Sequence, residues 1–318
     1  MPTPTLKQHI EDQLTGAGWT PNASLGVAVS GGADSVALMH LVSHLSPVVL
    51  HVDHGMRPHS HLDGEFVEAQ AKLLGLEFRL LKSHEATDES DSFELRSRKI
   101  RYALLEQAGL EFIATAHTLD DQAETVLMRI MRGSSLHGAS GMRRARAMST
   151  SAGKFVRPVI GTPREHLRAW LTDRGLKWIE DPTNDSLDHE RNWVRKVVLP
   201  LLAERRSGVI STLARFGELA AIDDQALEQL ALDRFVKCSR SAGEVVLGLD
   251  ALAKPEAIAK RVVRKVLEEI GARVDRSTIE RVFEASKNQT GSIDIGNGAV
   301  ARGAGHGVVV CLCNATQT

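Results

Sequence analysis

A short apolar run, a glycine turn and a helical pattern follow one another in residues 25–42, LGVAVSGGADSVALMHLV. Two valines alternate with small residues, as in a short buried strand, and apolar residues then recur at helical spacing from Val36. The turn SGGADS therefore connects a strand to a helix that begins near Asp34. Such a turn directs backbone N–H groups outward at the positive end of a helix, an arrangement that binds phosphate. The alternative is an ordinary strand–turn–helix with a capping Ser or Asp, and the complete hexapeptide favours the phosphate site.

Strand and helix patterns alternate through the first half of the chain. Strand-like segments PVVLHVDHG, LEFRLL and LEFIATAH alternate with helical segments that end at glycines. This alternation predicts an α/β fold with a doubly wound, mainly parallel sheet. Ligands of such sheets bind at the carboxyl ends of the strands. Ser30 to Asp34, His51 to Gly55 and His117 to Asp121 all follow strands, so we expect them to form one site.

Two breaks in this alternation indicate how the chain is divided. Residues 134 to about 160 are rich in Gly, Ser and Arg without a clear period, which predicts a flexible surface loop. Near residue 208 the alternation gives way to a long helical run, followed by a mixed set of strands and helices. We therefore expect a larger α/β domain at 1–207 and a smaller α+β domain at 208–318.

Composition excludes several classes of protein. With 42% hydrophobic and 25% charged residues, the chain has the composition of an ordinary globular protein. It contains no apolar run of membrane-spanning length, no segment typical of a secretory signal and only three cysteines. These features predict a cytoplasmic protein without membrane association or a disulfide framework. Because the net charge is −1, nucleic-acid binding would depend on a local basic patch.

Acidic residues near two of the strand ends are candidates for a metal site. Asp121 and Glu124 are three residues apart at the start of a predicted helix, so their side chains share a face. Together with Asp34 they could hold Mg²⁺ against a triphosphate, because this ion prefers carboxylate and phosphate oxygens. The equally open alternative is that Asp120 or Asp121 only caps the helix. A zinc site is not favoured, since no cysteine lies near the histidines that follow the strands, which are His51, His54 and His117.

A second candidate site is the stretch from Thr125 to Arg164, which contains no Asp or Glu while Arg and Lys recur in it. A solvated loop is the ordinary explanation of a run of charge. A stretch of this length without acids favours a polyanion such as RNA, whose phosphates bind Arg and Lys.

Taken together, these motifs resemble the tRNA(Ile)-lysidine synthetases, a bacterial group of PP-loop enzymes, or N-type ATP pyrophosphatases. SGGADS alone fits the whole PP-loop group, and it lacks the lysine of a Walker-type loop. The narrower resemblance lies in HVDHGMRPHS, RKIRY, ATAHTLDDQAETVLMRIMRGSS and EDPTNDSLDHERNWVRKVVLP, which occur in the family's order. These segments span most of residues 25–201, whereas the C-terminal part is similar to the family only in size and position.

The resemblance implies a two-step reaction that uses ATP and Mg²⁺. The wobble cytidine of a tRNA(Ile) with a CAU anticodon would be adenylylated at its ring carbonyl oxygen, releasing pyrophosphate. The amine of free L-lysine would then displace AMP and give lysidine. Splitting the reaction in this way replaces a poor leaving group with a good one.

The resemblance also implies which residues form the site. ATP would contact Ser30, Gly31, Gly32, Ala33, Asp34, Ser35, His51 and Val52. The catalytic residues would be Asp34, Asp121, Glu124, Arg101, His117, Arg191 and Asn192. Mg²⁺ would be held by Asp34, Asp121 and Glu124, and the tRNA backbone would contact Arg143, Arg144 and Arg146. Independently of the resemblance, our hypothesis is that the smaller domain binds the acceptor side or body of the tRNA.

Other interpretations remain open. A PP-loop tRNA thiolase, or another enzyme that adenylylates a tRNA base, would activate its substrate in the same way. A thiolase normally needs a reactive cysteine or an iron–sulfur cluster near the loop, and the predicted larger domain has no cysteine. A glutamine-dependent ligase would need a nucleophile domain before the loop, and a non-catalytic tRNA-binding module would not need the acids. The sequence leaves the oligomeric state open between monomer and homodimer.

Overall fold

The computed structural model describes residues 5–53, 60–82, 93–180, 187, 189–241, 244–287, 291–296, 298–305 and 307–312. The chain forms two compact units, Met1–Ala221 and Ile222–Thr318. The units divide within helix α10 (Val209–Phe235), whereas the boundary predicted from the sequence, between 207 and 208, lies just before this helix.

The first unit is built on a six-stranded sheet. Its strands are β1 (Leu25–Ala28), β2 (Val48–Asp53), β3 (Phe78–Lys82), β4 (Phe112–Ala114), β5 (Ala145–Ala147) and β6 (Lys154–Val156). They lie in the order β3-β2-β1-β4-β6-β5, and all neighbours pair in parallel except β5 with β6. Alternating helices and a mainly parallel sheet confirm the predicted α/β fold class.

The helices of this unit follow the strands in the predicted alternation. They are α1 (Leu6–Gly16), α2 (Ala33–Val42), α3 (Ser60–Leu73), α4 (Phe93–Gln107), α5 (Leu119–Met131), α6 (Leu136–Ala139), α7 (Arg164–Thr172), α8 (Glu190–Trp193) and α9 (Leu199–Arg205). A 3-10 turn occupies Ser43–Leu45, and a π-helical turn occupies Val194–Val198. Helix α2 is apolar on nearly every side and is buried in the main core, which fixes the position of the turn before it.

The prediction of a flexible loop over residues 134 to about 160 is wrong. This segment contains α6, β5 and β6, and β6 pairs with β4 inside the sheet. Phe155 is fully buried, and Met148 packs in the same hydrophobic cluster. Strands of three residues are too short to show a period in the sequence, so pairing with β4 and burial of Phe155 determine their structure.

The second unit combines an antiparallel sheet with helices, as predicted. Its further elements are β7 (Ser239–Ser241), β8 (Glu244–Gly248), α11 (Leu249–Leu252), α12 (Glu256–Glu269), α13 (Arg276–Lys287), β9 (Ser292–Gly296), β10 (Ala299–Ala304) and β11 (Gly307–Leu312). The strand order is β7-β8-β11-β10-β9. Helix α12 buries Val262, Val266 and other apolar residues on one face, which is the spacing expected of an amphipathic helix. Among the described residues, no helix has both the length and the apolar character needed to cross a membrane.

Candidate active site

The strand order places a topological switch point between β1 and β4. The chain passes from β1 to β2 and β3 on one side and then returns to β4 on the other side of β1. Val27 is in register with Ala114, so the segments that follow the two strands leave the same edge of the sheet. In open α/β sheets such a switch point forms the crevice in which ligands bind.

The glycine turn after β1 is held in one conformation. Gly31 has φ +94°, and a Cβ at this position would lie 2.8 Å from Cδ1 of Ile179. Ser35 Oγ accepts from Ser30 N at 3.2 Å and donates to the carbonyl of Gly32 at 2.9 Å. Because α2 begins at Ala33, the first N–H groups of this helix are the unpaired donors at the end of the turn. The turn therefore has the form that binds phosphate.

The histidine predicted near the nucleotide lies beside this turn. His51 is buried in β2, and its Nδ1–H donates to the carbonyl of Val29 at 2.8 Å. A carbonyl only accepts, so Nδ1 of His51 is the donor in this contact. Val52 follows on the same strand and is half-buried. His54, which the sequence analysis also considered, lies outside the described residues.

The predicted acidic pair begins helix α5. Thr118 and Asp121 form a capping box, in which Oδ2 of Asp121 accepts from both N and Oγ1 of Thr118 at 2.9 Å. Glu124, one turn further, is fully buried. The interpretation that Asp121 takes part in capping the helix is therefore confirmed. Oδ1 of Asp121 and the whole carboxylate of Glu124 take no part in the cap and remain available for other contacts.

Three arginines hold these two carboxylates together with Asp34. The Nη2 atom of Arg164 lies 2.9 Å from Asp121 Oδ1, its Nε lies 3.0 Å from Asp34 Oδ2, and its Nη1 lies 3.5 Å from Glu124 Oε1. The second guanidinium, that of Arg191, contacts Asp121 at 3.0 Å and Glu124 at 2.8 Å. The third guanidinium, that of Arg195, contacts Asp121 at 3.2 Å and Glu124 at 2.6 Å. The acid–arginine centre consists of Asp34, Asp121, Glu124, Arg164, Arg191 and Arg195.

Charge in this centre is balanced, with three carboxylates facing three guanidiniums. Burial alone would raise the pKa of Asp121, but Arg164 and Arg191 lower it well below its usual range. Burial likewise opposes the charge on Arg164, yet Asp121 and Asp34 raise the pKa of this guanidinium. For Asp34 burial dominates, and its pKa is raised despite the contact with Arg164. The carboxyl group of Asp34 therefore takes a proton more readily than that of Asp121.

The sequence analysis singled out Arg191 but not Arg164 or Arg195 as site residues. Arg164 entered it only as the end of the acid-free stretch. A signal for Arg195 was present, since it lies four residues after Arg191 and a helical conformation puts both on one face. Arg164 directly follows Pro163 at the start of α7, and its backbone N–H donates to Asp120 Oδ2 at 2.8 Å. Asn192 lies next to Arg191 in α8 and is half-buried.

A second group of cations surrounds Tyr102. The guanidinium carbons of Arg98, Arg101 and Arg146 lie 5.2, 5.6 and 4.6 Å from the centre of its ring. Nη2 of Arg157 donates to the tyrosine hydroxyl at 3.3 Å, and the buried Nε of Arg157 has no hydrogen-bond partner among the described residues. Burial alone would raise the pKa of Tyr102, but Arg157 and Arg98 lower it. The predicted residue Arg101 thus belongs to a cationic cluster suited to an anion.

His117 connects the two groups electrostatically. Burial, followed by the charge of Arg157, lowers its pKa to about 3, and the charge of Asp121 acts in the opposite direction. Its Nδ1 lies 3.1 Å from Oγ1 of Thr115. The imidazole is therefore neutral at physiological pH and can exchange hydrogen bonds without carrying charge.

The three arginines predicted to contact tRNA lie close in sequence but have different surroundings. Arg144 donates to Gln13 Oε1 and to Glu218 Oε1, each at 2.7 Å. Arg146 stacks over Tyr102, as described above, while the carbonyl of Arg143 accepts from Arg157 at 2.7 Å. Arg144 and Arg146 are half exposed, so both can still reach a polyanion.

The acid–arginine centre also fits a divalent cation. Oδ1 of Asp34 is buried without a hydrogen-bond partner within the described ranges. Both oxygens of Asp121 and of Glu124 already accept hydrogen bonds. Carboxylate oxygens are ligands that Mg²⁺ prefers. The unpartnered oxygen of Asp34 therefore fits Mg²⁺ as the structure stands. Asp121 and Glu124 would bind the ion only if it replaced an arginine at their oxygens.

A glycine turn at the switch point of a parallel sheet, beside buried acids, defines a phosphate-binding α/β protein. The sequence matches the profile of the PP-loop domain over residues 3–202. The chain therefore belongs to the PP-loop domain family. Among solved structures, the U34-tRNA thiolase NcsA from Methanococcus maripaludis has a TM-score of 0.56 at 17% identity, over 68% of this chain and 78% of that chain. This likeness shows the shared fold alone.

Within this family, the chain is similar to proteins curated as tRNA(Ile)-lysidine synthases. One from Thermus thermophilus is 38% identical over 278 residues, covering 85% of this chain and 53% of the relative. The one from Alkalilimnicola ehrlichii is 34% identical over 282 residues, covering 86% of this chain and 62% of the relative. The chain thus spans between half and two thirds of the length of these relatives.

Proposed function

We propose that this protein ligates L-lysine to the wobble cytidine of a tRNA(Ile) with a CAU anticodon, consuming ATP and releasing AMP and pyrophosphate. The observation that carries the proposal is the gathering of Asp34, Asp121 and Glu124 around one guanidinium, that of Arg164, at the strand end beside the glycine turn. The similarity to curated tRNA(Ile)-lysidine synthases supports this substrate over other bases and amines.

In the first step the ring carbonyl oxygen of cytidine attacks the α-phosphorus of ATP. A bond from this oxygen to phosphorus forms while the bond to pyrophosphate breaks. Backbone donors and hydroxyls of residues 30–35 would bind the departing phosphates, and the positive end of α2 favours their charge. Bound Mg²⁺ would be held by Asp34, Asp121 and Glu124 and would neutralise charge on the triphosphate.

The arginines near His117 would also bind the phosphates of the substrates. Arg101 and Arg157 present buried positive charge close to His117, and Arg191, which contacts Asp121 and Glu124, interacts electrostatically with Arg101 and His117. Guanidinium groups bind phosphate oxygens in bidentate fashion. These arginines would therefore position the target nucleotide. A base in an anticodon loop can leave its stack at low cost and enter such a site.

In the second step the ε-amine of lysine attacks C2 of the activated cytidine, and AMP leaves. The amine must lose a proton, and the sequence analysis named Asp34 and Glu124 as catalytic residues. Both oxygens of Glu124 already accept hydrogen bonds from arginines, so neither is free to take the proton of the amine. Asp34 has an unpartnered oxygen and a raised pKa. After pyrophosphate has left, Asp34 is therefore the better proton acceptor.

The test uses the purified chain with ATP, Mg²⁺, labelled lysine and a CAU-anticodon tRNA(Ile). We expect label to attach covalently to this tRNA and not to a matched tRNA whose anticodon is UAU. Without lysine, the adenylyl group of ATP should transfer to the tRNA instead. If neither group is transferred, or if both tRNAs react equally, the proposal is wrong. Transfer of sulfur in place of lysine would favour the thiolase alternative.

A further inference from the structure

The cations around Tyr102 carry more positive charge than the described residues neutralise. The Tyr102 cluster consists of this tyrosine and the guanidiniums of Arg98, Arg101, Arg146 and Arg157. In the part of the chain that the structure describes, the one carboxylate paired with any of them is that of Glu106, 4.0 Å from Nη2 of Arg146. This carboxylate already accepts three hydrogen bonds from the turn at 149–150. Because buried charge without a counter-ion is costly, a bound anion would stabilise the cluster.

Arg157 has a buried donor without a partner in the described residues. It is 3% exposed, its Nη1 donates to the carbonyl of Arg143 at 2.7 Å and its Nη2 donates to the hydroxyl of Tyr102 at 3.3 Å. The third donor, Nε, accounts for none of these bonds and lies buried. An unsatisfied buried donor is the state expected of a group that a ligand completes. Arg146, half exposed above the ring of Tyr102, keeps the cluster open to such a ligand.

The Tyr102 cluster lies at the same edge of the sheet as the acid–arginine centre but on the face opposite to α2. Arg157 directly follows β6, which is parallel to β4, so it leaves the sheet at the same edge as His117. Tyr102 packs with Ile113 of β4, whereas α2 packs with Ala114, the next residue of that strand. Successive side chains of a strand point to opposite faces. The glycine turn and α2 are therefore separated from the cluster by the sheet.

We propose that the Tyr102 cluster binds a backbone phosphodiester of the RNA substrate, through Arg98, Arg146 and Arg157. The inference rests on the proposed function in taking RNA as the second substrate. The triphosphate of ATP would bind at the glycine turn on the other face, so the phosphate at the cluster belongs to the RNA. Guanidinium groups bind phosphate oxygens in bidentate geometry, and backbone contacts of this kind fix the register of a nucleic acid without reading its bases. The site thus positions the RNA while one base enters the acid–arginine centre.

Tyr102 is the single tyrosine of the chain, so its NMR signal reports on this site directly. We would label tyrosine with ¹³C at Cζ and titrate the full chain with an anticodon stem-loop RNA, with ATP and Mg²⁺, or with pyrophosphate. The RNA should shift the signal in a saturable manner, equally for CAU and UAU loops, whereas ATP and pyrophosphate should leave it nearly unchanged. No shift with RNA, or a larger shift with ATP or pyrophosphate than with RNA, would overturn the assignment.

Substitution of Arg98 separates a binding role from a structural one. Burial, together with the charge of Arg101, lowers the pKa of Arg98, so Arg98→Gln relieves repulsion and should not lower the melting temperature. RNA binding should weaken at least tenfold, and the slope of log Kd against log salt should fall by about 0.7, as expected for one lost phosphate contact. The matched control Lys99→Gln removes the same charge from the exposed neighbouring position and should weaken binding less than threefold.

Two results would contradict this site. One is equal weakening of RNA binding by Arg98→Gln and Lys99→Gln, and the other is a lower melting temperature of Arg98→Gln with unchanged RNA binding. Adenylyl transfer to tRNA by the wild type is measured in the same preparations. Because the titrations need no turnover, a failure of the proposed function is distinguished from a failure of this site.

Discussion

Replacement of Arg164 by methionine removes the cation that links all three acids. Methionine keeps much of the aliphatic length of the side chain but leaves three carboxylates facing two guanidiniums. Asp34 forms no other ion pair within the described residues, so it loses its charged partner entirely. Arg164 is 17% exposed and Glu124 is fully buried, so solvent screens the remaining charges only weakly.

The size of the effect follows from this burial. Removing one partner of a buried ion pair costs about 3–5 kcal/mol, because the other charge is left uncompensated. Since Arg164 is partly exposed, we expect the lower end, a loss of about 3 kcal/mol in the free energy of unfolding. For a unit of this size that loss lowers the melting temperature by roughly 6–12 °C. Under the proposed function Mg²⁺ would supply positive charge at the same carboxylates, so it should stabilise Arg164→Met more than the wild type when no ATP is present.

Thermal unfolding with and without Mg²⁺, in the absence of ATP, measures both effects. The control is Arg168→Met, one turn further along α7, where Nη2 lies 3.5 Å from Glu180 Oε1 in an exposed pair. Exposed pairs contribute at most about 1 kcal/mol, so the control should unfold nearly as the wild type does. Equal losses in the two variants, or equal stabilisation by Mg²⁺ in Arg164→Met and the wild type, would refute this account of the centre.

Further perturbations give separate tests. Because burial lowers the pKa of His117 to about 3, the native state resists protonation that the unfolded chain accepts below about pH 6.5. The contribution of His117 to the free energy of unfolding is therefore complete above about pH 6.5 and is lost as the pH falls towards 3. Urea denaturation between about pH 7 and 4 should show a smaller loss of this free energy for His117→Gln than for the wild type. Equal losses in the two proteins would contradict this account. Gly31→Ala imposes strain of about 1–2 kcal/mol at a positive φ and also a steric clash, so nucleotide titration should show weaker ATP binding. Gly175→Ala, also at a positive φ but in open space, is the control and should bind ATP normally; equal weakening would count against a role of the turn in binding. Asp224→Ala removes the carboxylate that lies 2.8 Å from the buried guanidinium of Arg261. Thermal unfolding should show that the second unit loses about 3 kcal/mol of stability. A loss below about 1 kcal/mol would mean that solvent screens this ion pair.

Local sequence patterns were sufficient for the elements that position the site. The apolar period of residues 36–42 predicts α2, and the glycine turn predicts where this helix begins. The spacing of Asp121 and Glu124 predicts a shared face on α5, which the structure has. Each of these signals depends on neighbours within one or two helical turns, so the sequence contains it directly.

The partners of these acids could not be predicted in the same way. Arg164 and Asp34 are 130 residues apart in the sequence, and no local period relates them. The acid-free stretch suggested a solvated or RNA-binding surface, but Phe155 and Arg157 within it are buried and Arg164 pairs with acids. Charge composition gives the net balance of a segment, whereas the pairing of each charge depends on the tertiary fold.

Identification of the nucleotide products tests the central proposal most directly. The chain is incubated with doubly labelled ATP, Mg²⁺, lysine and CAU-anticodon tRNA(Ile), and the products are separated by chromatography. We predict AMP and pyrophosphate in amounts equal to the lysine attached to the tRNA. Release of ADP and orthophosphate, or attachment of lysine without formation of AMP, would contradict cleavage of ATP at its α-phosphorus by this centre.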